Sequence, residues 1–206
     1  MKKLVITFSA LAVCICIWAF TGIDKTKDIA LGSELPAADI EMLDVNSKKS
    51  FSLEDLAGQH GLLVIFSCNT CPFVLAWEDR YDDLKAKADA LGIGVAVLNS
   101  NEAKRAGADS PEAMKQHANE LKYEFPYLVD KDSEVATAFG ATVTPQVYLF
   151  NAEKSLVYKG AIDDNMRDAE AATPHLANAM EALAKGKKIE PAETRATGCS
   201  IKKVKK

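Results

Sequence analysis

The chain has 206 residues, of which 48% are hydrophobic and 26% are charged. These values suit one globular domain with enough chain to bury a core, and nothing indicates a repeat or a long low-complexity segment. The formal net charge of −4 gives no argument for nucleic-acid binding, so we expect no nucleic-acid partner.

Residues 4–20 form an apolar run that follows Lys2 and Lys3. A short basic stretch before such a run is typical of a secretory signal, and the run is nearly long enough for a membrane anchor. The letters LAVC, ending at Cys14, also faintly resemble a lipoprotein box. We therefore predict a signal peptide or N-terminal membrane anchor over 1–22, with the cleaved, retained and lipidated forms left open. Each form places the protein outside the cytoplasm, either periplasmic or secreted.

The rest of the chain divides into three parts. Residues 23–30 are predicted to be a polar linker, 31–190 the folded domain, and 191–206 a basic, weakly patterned C-terminal tail. Within the domain, the segments 40–45 and 50–53 flank a turn-rich NSKK stretch, which predicts an N-terminal β-hairpin.

Two continuous apolar runs, Gly61 to Phe66 and Ile93 to Asn99, are short enough to predict buried strands. Between them, the helical spacing of apolar residues from Pro72 to Leu91 predicts one helix that Gly92 closes. Further elements are expected in this order: a helix from Ser110-Pro111 to about Leu121, a strand at FPYLVD, a short helix ending at Gly140, a strand pair at PQVYLF and SLVYKG, and a helix from Thr173-Pro174 to Lys185. Strands that alternate with helices predict an α/β fold, and the late hairpin makes the central β-sheet mixed, with helices on both faces.

Cys68 and Cys71 stand two residues apart between the first buried strand and its helix. A sulfur at a helix N-terminus is favoured as a thiolate, which is the form that attacks disulfides. On this basis we expect Cys68 to attack and Cys71 to resolve the mixed disulfide. A zinc site would need two more ligands from Cys199 or the dispersed histidines, and a structural disulfide is the third interpretation of the pair.

Four stretches of the chain together resemble the thioredoxin superfamily, in particular the redoxin branch related to peroxiredoxins. They are LGSELPAADIEMLDV…FSLEDLAG, VIFSCNTCPFV, TVTPQVYLF and LVYKGAIDD, and the ending TGCSIKK is similar to the close of peroxiredoxin-like members that carry CxxC. The resemblance covers roughly residues 31–203 and implies a thioredoxin-like fold. It also implies that Pro145 is cis, lies against the cysteines, and with Thr144 shapes a groove for an extended substrate.

The chain departs from both patterns that it resembles. Thioredoxins keep a buried acid six residues before the first cysteine, where this chain has Leu62, and the preceding aromatic residue is replaced by Ser67. Peroxiredoxins use T-x-x-C, and in that register Cys68 replaces the threonine while Cys71 takes the peroxidatic position. The loss of the threonine hydroxyl lowers the expectation of peroxidase activity.

Two further residues are candidates for the site. Glu78, on the helix after the cysteines, could pass a proton through water to Cys71, although such a carboxylate often belongs to a solvated helix face. Cys199 could be an additional resolving thiol, could pair with another chain, or could be an inert buried thiol.

We therefore expect an extracytoplasmic thiol–disulfide oxidoreductase that acts through Cys68 and Cys71, as a reductant, with no metal or organic cofactor. Its expected partners are disulfide-containing protein substrates and an electron-donor thiol protein. A thiol peroxidase that reduces hydroperoxides is one alternative. A binding module that uses the groove beside Pro145 and keeps the cysteines as a structural disulfide is the other.

Overall fold

A computed structural model of the protein describes residues 28–204. The strands are β1 Met42–Asp44, β2 Ser50–Phe51, β3 Gly61–Ser67, β4 Ile93–Asn99, β5 Tyr127–Val129, β6 Val143–Thr144, β7 Gln146–Asn151, β8 Leu156–Gly160 and β9 Cys199–Ser200. The α-helices are α1 Pro72–Trp77, α2 Tyr81–Ala90, α3 Pro111–Glu120, α4 Glu134–Phe139 and α5 His175–Ala184. None of the helices within 28–204 is long and apolar enough to cross a membrane. The predicted signal or anchor lies outside the described residues.

Seven strands form one mixed sheet in the order β2-β1-β5-β4-β3-β7-β8. The three central strands β3, β4 and β5 run parallel, whereas β7, β8 and the β1–β2 hairpin are antiparallel to their neighbours. The mixed sheet and the N-terminal hairpin that the sequence predicts are therefore confirmed.

The central strand β3 is buried along its whole length and contributes side chains to two apolar clusters. Leu63 and Ile65 pack into one cluster with α2, α3 and α5, while Val64 and Phe66 pack into the other with α4. Full burial of such side chains contributes roughly 1.5–3 kcal/mol each, which fixes the strand and the turn that follows it. The clusters also confirm the prediction of helices on both faces of the sheet.

The helix predicted over 72–91 is interrupted. A 3₁₀ turn at Glu78–Arg80 separates α1 from α2. Trp77 Nε1 donates to Asp163 Oδ1 at 2.7 Å, and Arg80 Nε lies 2.9 Å from Asp163 Oδ2. Residues i and i+3 eclipse in a 3₁₀ turn, which aligns these two side chains with a single carboxylate.

The segment that we predicted to be a weakly patterned tail, 191–206, folds back onto the domain as far as it is described. Its short strand β9 pairs antiparallel with β6, next to Pro145, with Thr144 opposite Cys199. Ile201 follows the strand, is only 8% exposed, and packs in the cluster on the α4 face. The C-terminal segment therefore belongs physically to the region around the cysteines.

Candidate functional site

The two cysteines lie at the carboxyl end of β3, in the turn that leads into α1. Cys68 follows the strand directly, and Cys71 is the N-cap of α1, whose first residue is Pro72. Proline is favoured at this position because its missing N–H would be unpaired there and its fixed φ suits a helix. Both cysteines are free thiols and are buried, with 2% and 4% of their surface exposed.

Thr144 lies against the cysteine pair and is joined to Pro145 by a cis peptide bond, as the resemblance implies. The Thr144 hydroxyl lies 3.3 Å from Cys68 Sγ. The Thr144 carbonyl oxygen lies 3.3 Å from Cys71 Sγ, which donates a hydrogen bond to it in the thiol form. One residue thus contacts both sulfurs, although its predicted role in binding a substrate remains a prediction.

The two sulfurs differ in acidity. A hydrogen bond from Cys68 lowers the pKa of Cys71 to about 4, with smaller contributions from Cys199 and the helix amide of Val74. The same hydrogen bond, together with burial, raises the pKa of Cys68. The shared hydrogen bond therefore favours the thiolate on Cys71, with Cys68 as the thiol that donates to it.

This difference bears on the roles that we expected from the sequence. We expected the first sulfur to lie at the helix N-terminus, but α1 begins only at Pro72 and its N-cap is Cys71. The positive end of the helix therefore acts on Cys71 rather than on Cys68. The low pKa of the second cysteine comes mainly from the hydrogen bond that Cys68 donates, and the Val74 amide of this helix adds to it.

A buried polar network fixes the turn between the cysteines. The backbone N–H of Asn69 donates to Asp109 Oδ1 at 3.0 Å, and the Tyr127 hydroxyl donates to Asn69 Oδ1 at 2.8 Å. Asp109 also accepts hydrogen bonds from Asn99 at 2.7 Å and Asn101 at 3.0 Å. The residue after Cys68 is therefore held at both its backbone and its side chain.

Asp109 is a site residue that the sequence did not reveal. It is fully buried, and its negative charge contributes to raising the pKa of Cys68. Leu62, at the position where thioredoxins keep their buried acid, is instead a core residue that is 1% exposed. The letters GADSP around Asp109 indicate a turn before the α3 cap, so only the fold shows that this carboxylate lies under the cysteines.

Ser67, which replaces the aromatic residue of thioredoxins, has a specific partner. Its Oγ lies 3.2 Å from the hydroxyl of the buried Tyr81 on α2. Burial raises the pKa of Tyr81, so this tyrosine stays protonated beside the cysteines.

Glu78, the candidate proton shuttle, has its hydrogen bonds elsewhere. Its Oε2 lies 2.9 Å from His117 Nε2 and accepts a hydrogen bond from the Tyr123 hydroxyl at 3.3 Å. Its side chain is only 11% exposed, so it is not part of a solvated helix face. The shuttle role stays a prediction, and among the hydrogen bonds of the described residues Glu78 makes none to a cysteine.

Cys199, the candidate extra thiol, is brought to the pair by strand β9. It packs against the small apolar cluster formed by Cys68, Cys71 and Val74, and it is partly exposed. Within residues 28–204, no group of three or more His, Cys, Asp or Glu side chains is arranged to hold a metal ion.

Comparison with known proteins gives a family and a fold. The model of the AhpC/TSA family matches residues 32–159, which is more than half of the chain. No curated protein matches. A hypothetical protein of Sinorhizobium meliloti is 31% identical with a TM-score of 0.78, covering 87% of this chain and 98% of that one. An uncharacterized conserved protein from Geobacillus kaustophilus is 34% identical with a TM-score of 0.78, covering 85% and 93%.

More distant structures share the fold alone. The peroxidoxin BcpB from Mycobacterium tuberculosis is 14% identical with a TM-score of 0.57, covering 76% of this chain and 98% of its own. A putative thiol:disulfide interchange protein DsbE from Chlorobium tepidum is 16% identical with a TM-score of 0.57, covering 77% and 98%. The chain belongs to the AhpC/TSA family and has a thioredoxin-like fold, as the resemblance of its motifs implies.

Proposed function

We propose that this redoxin is a thiol–disulfide oxidoreductase in which the Cys68–Cys71 couple cycles between dithiol and disulfide. The observation that carries the proposal is the contact of both sulfurs with Thr144, the residue joined by a cis bond to Pro145. Family membership supports oxidoreductase chemistry in general. The paired thiols of unequal acidity support disulfide exchange in particular.

In this mechanism the Cys71 thiolate attacks one sulfur of a substrate disulfide. The substrate S–S bond breaks, a mixed disulfide with Cys71 forms, and the other substrate sulfur leaves as a thiolate that takes up a proton. Cys68 then loses its proton and attacks Cys71 Sγ, which releases the second substrate thiol and leaves the Cys68–Cys71 disulfide. Two electrons have passed to the substrate, and an electron-donor thiol protein must return them. These roles of the two cysteines are the reverse of those we expected from the sequence.

We also propose that the protein works outside the cytoplasm as a reductant of protein disulfides. The basic pair before the apolar run at 4–20 supports this location. A reduction potential of the couple near about −270 mV would agree with a reductant, and one above about −180 mV would overturn that direction.

The test is turnover of insulin disulfides with a dithiol donor, using the wild type, Cys71→Ser and Cys68→Ser. We expect Cys71→Ser to lose turnover completely, because the attacking thiolate is gone. Cys68→Ser should accumulate a mixed disulfide with a model substrate. A wild type that is inert toward insulin and toward model disulfides would overturn the proposal, and a Cys68→Ala variant that still captured a partner would then favour the binding module.

Thiol peroxidase activity is the second candidate, because the low-pKa thiolate is Cys71, which occupies the peroxidatic position of the T-x-x-C register. The thiolate would attack a hydroperoxide oxygen, and the alcohol would leave as Cys71 became a sulfenic acid. Cys68, in the threonine's place, would condense with it to give the disulfide and water. Oxidation of Cys71 by peroxide no faster than oxidation of a free thiol would exclude this candidate.

A further inference from the structure

The strand β9 occupies the backbone edge beside Pro145. Thr144 pairs with Cys199 and Val143 pairs with Ser200, and the Ile201 N–H continues the ladder to the Thr142 carbonyl at 2.9 Å. An extended substrate that adds a strand beside the cis proline would use the same backbone groups of Thr144. The chain therefore holds its own segment in the position where the resemblance implies a substrate.

The segment is held in a single register. The Lys202 N–H donates to Asn101 Oδ1 at 2.8 Å, and the Lys202 carbonyl accepts from the Ala103 N–H at 2.8 Å. Gly198 approaches the neighbouring backbone so closely that a Cβ added there would lie 2.1 Å from the Thr144 carbonyl oxygen. Glycine at 198 is thus the residue that lets Cys199 reach the site.

The register brings a third sulfur to the cysteine pair. Cys199 packs against Cys68 and Cys71, which are only 2% and 4% exposed, while Cys199 itself is partly exposed. Burial raises the pKa of Cys199, as does the hydrogen bond that its thiol gives to Cys71. Of the three cysteines, Cys199 is therefore the most accessible to an external thiol.

We infer that Cys199 is a third redox thiol, which carries electrons between an external dithiol and the buried Cys68–Cys71 couple. The inference rests on the proposed function of that couple. Cys199 is partly exposed and packs against the pair, so this exchange uses β9 in place, whereas a substrate strand beside Pro145 would have to displace it.

The exchange balances without any additional oxidant. In the oxidised protein, the Cys199 thiol loses its proton and attacks Cys71 Sγ, so that the Cys68–Cys71 bond breaks and a Cys71–Cys199 disulfide forms. Cys68 leaves as a thiolate and takes up the proton. The external dithiol then attacks Cys199 Sγ, Cys71 leaves as a thiolate, and the second thiol of the donor releases Cys199. A thiol of low pKa leaves faster, which speeds the attack of the external dithiol on Cys199, because Cys71 is the leaving group there.

Peptide mapping tests whether the internal disulfide forms. Trypsin cuts after Lys49, Arg80, Arg195 and Lys202, so Cys199 leaves on peptide 196–202 and both members of the pair on 50–80. The Cys68→Ser protein, oxidised with one equivalent of diamide and trapped in acid, should yield these two peptides joined by a disulfide. If the peptides stay separate while the wild type forms its Cys68–Cys71 disulfide, the inference is wrong.

Kinetics test whether the relay is used. With dithiothreitol as the external dithiol, we expect the Cys68–Cys71 disulfide of Cys199→Ser to be reduced at least about tenfold more slowly than that of the wild type. Ser200→Ala, a change to the next residue of the same strand, is the matched control and should be reduced at the wild-type rate. Equal rates for the wild type and Cys199→Ser would overturn the relay and leave the proposed function standing. Faster reduction in the full-length Gly198→Ala variant, where β9 should move away from Thr144, than in the wild type would also overturn it, because β9 would then only cover the pair.

Discussion

The two sides of the cysteine turn are held in different ways. On one side, Asn69 is tied to the buried Asp109 and Tyr127, and each of these has further partners. On the other side, both sulfurs face Thr144 and the two-residue strand that carries the partly exposed Cys199. A fully satisfied buried network costs much free energy to break, whereas the strand side depends on a two-residue ladder and the few hydrogen bonds of Ile201 and Lys202. The network side positions the turn, and the strand side is where the chemistry meets solvent.

The acidity of Cys71 is the largest effect expected on the strand side. Its pKa of about 4 means that it is a thiolate at any pH well above that value and is protonated below it. Its alkylation rate should therefore be nearly constant from about pH 6 to pH 8, whereas an ordinary thiol slows roughly tenfold per pH unit below its pKa of about 8.5. The rate is measured with iodoacetamide and peptide sequencing by mass spectrometry.

The control for this profile is the Cys68→Ala variant of the same chain. Removing the hydrogen-bond donor should raise the pKa of Cys71 and make its alkylation depend more steeply on pH. If the profile of the wild type already rises through pH 8, Cys71 is not the thiolate, and the roles that we assign to the two cysteines must be exchanged again.

On the network side, Asp109→Ala should lower the free energy of unfolding by about 3 kcal/mol, because it leaves the Asn69 amide and two buried asparagine side chains without their acceptor. Chemical denaturation measures the change. The matched control is Asp79→Ala, since the Asp79 side chain is 71% exposed. A loss no larger for Asp109 than for Asp79 would show that the network does not hold the turn.

Gly198→Ala tests the strand side without touching a thiol. Its added Cβ would lie 2.1 Å from the Thr144 carbonyl oxygen, so β9 should move away from Thr144. We expect the Cys71–Cys199 disulfide to fall severalfold in the Cys68→Ser background, as measured by the joined tryptic peptides. Gly107→Ala is the control, because its Cβ would come no closer than 3.9 Å to another residue. An unchanged yield in the Gly198 variant would show that the close approach does not set the position of Cys199.

The smallest effect concerns the cap of the helix that follows Asp109. Ser110 Oγ accepts a hydrogen bond from the Ala113 N–H at 3.1 Å. Ser110→Ala should lower the free energy of unfolding by about 1 kcal/mol, and Ser110→Asp should restore most of it, because aspartate also caps helices. Equal stability of all three proteins in thermal denaturation would show that the Ser110 cap does not help to stabilise the network side.

Most of the elements could be predicted from the sequence because their signals are local. The apolar run of β3, the Ser110-Pro111 helix start and the glycine after α4 each predict their element without knowledge of its neighbours. The prediction of a single helix over 72–91 was wrong at Glu78–Arg80. There Trp77 and Arg80 contact Asp163, a residue more than 80 positions away. Local periodicity carries no information about such a partner.

The same distinction between local signals and distant contacts applies to the site. The sequence by itself determined the cysteine pair and its place between a strand and a helix, while the cis proline came only from the resemblance of its motifs. Only the tertiary structure decided which sulfur lies at the helix N-terminus, which acid is buried beneath the pair, and where Cys199 lies. Asn69 and Asp109 are 40 positions apart, and Cys68 and Thr144 are 76 apart. Contacts of that separation depend on how the sheet brings its edges together, and no spacing within the chain encodes them.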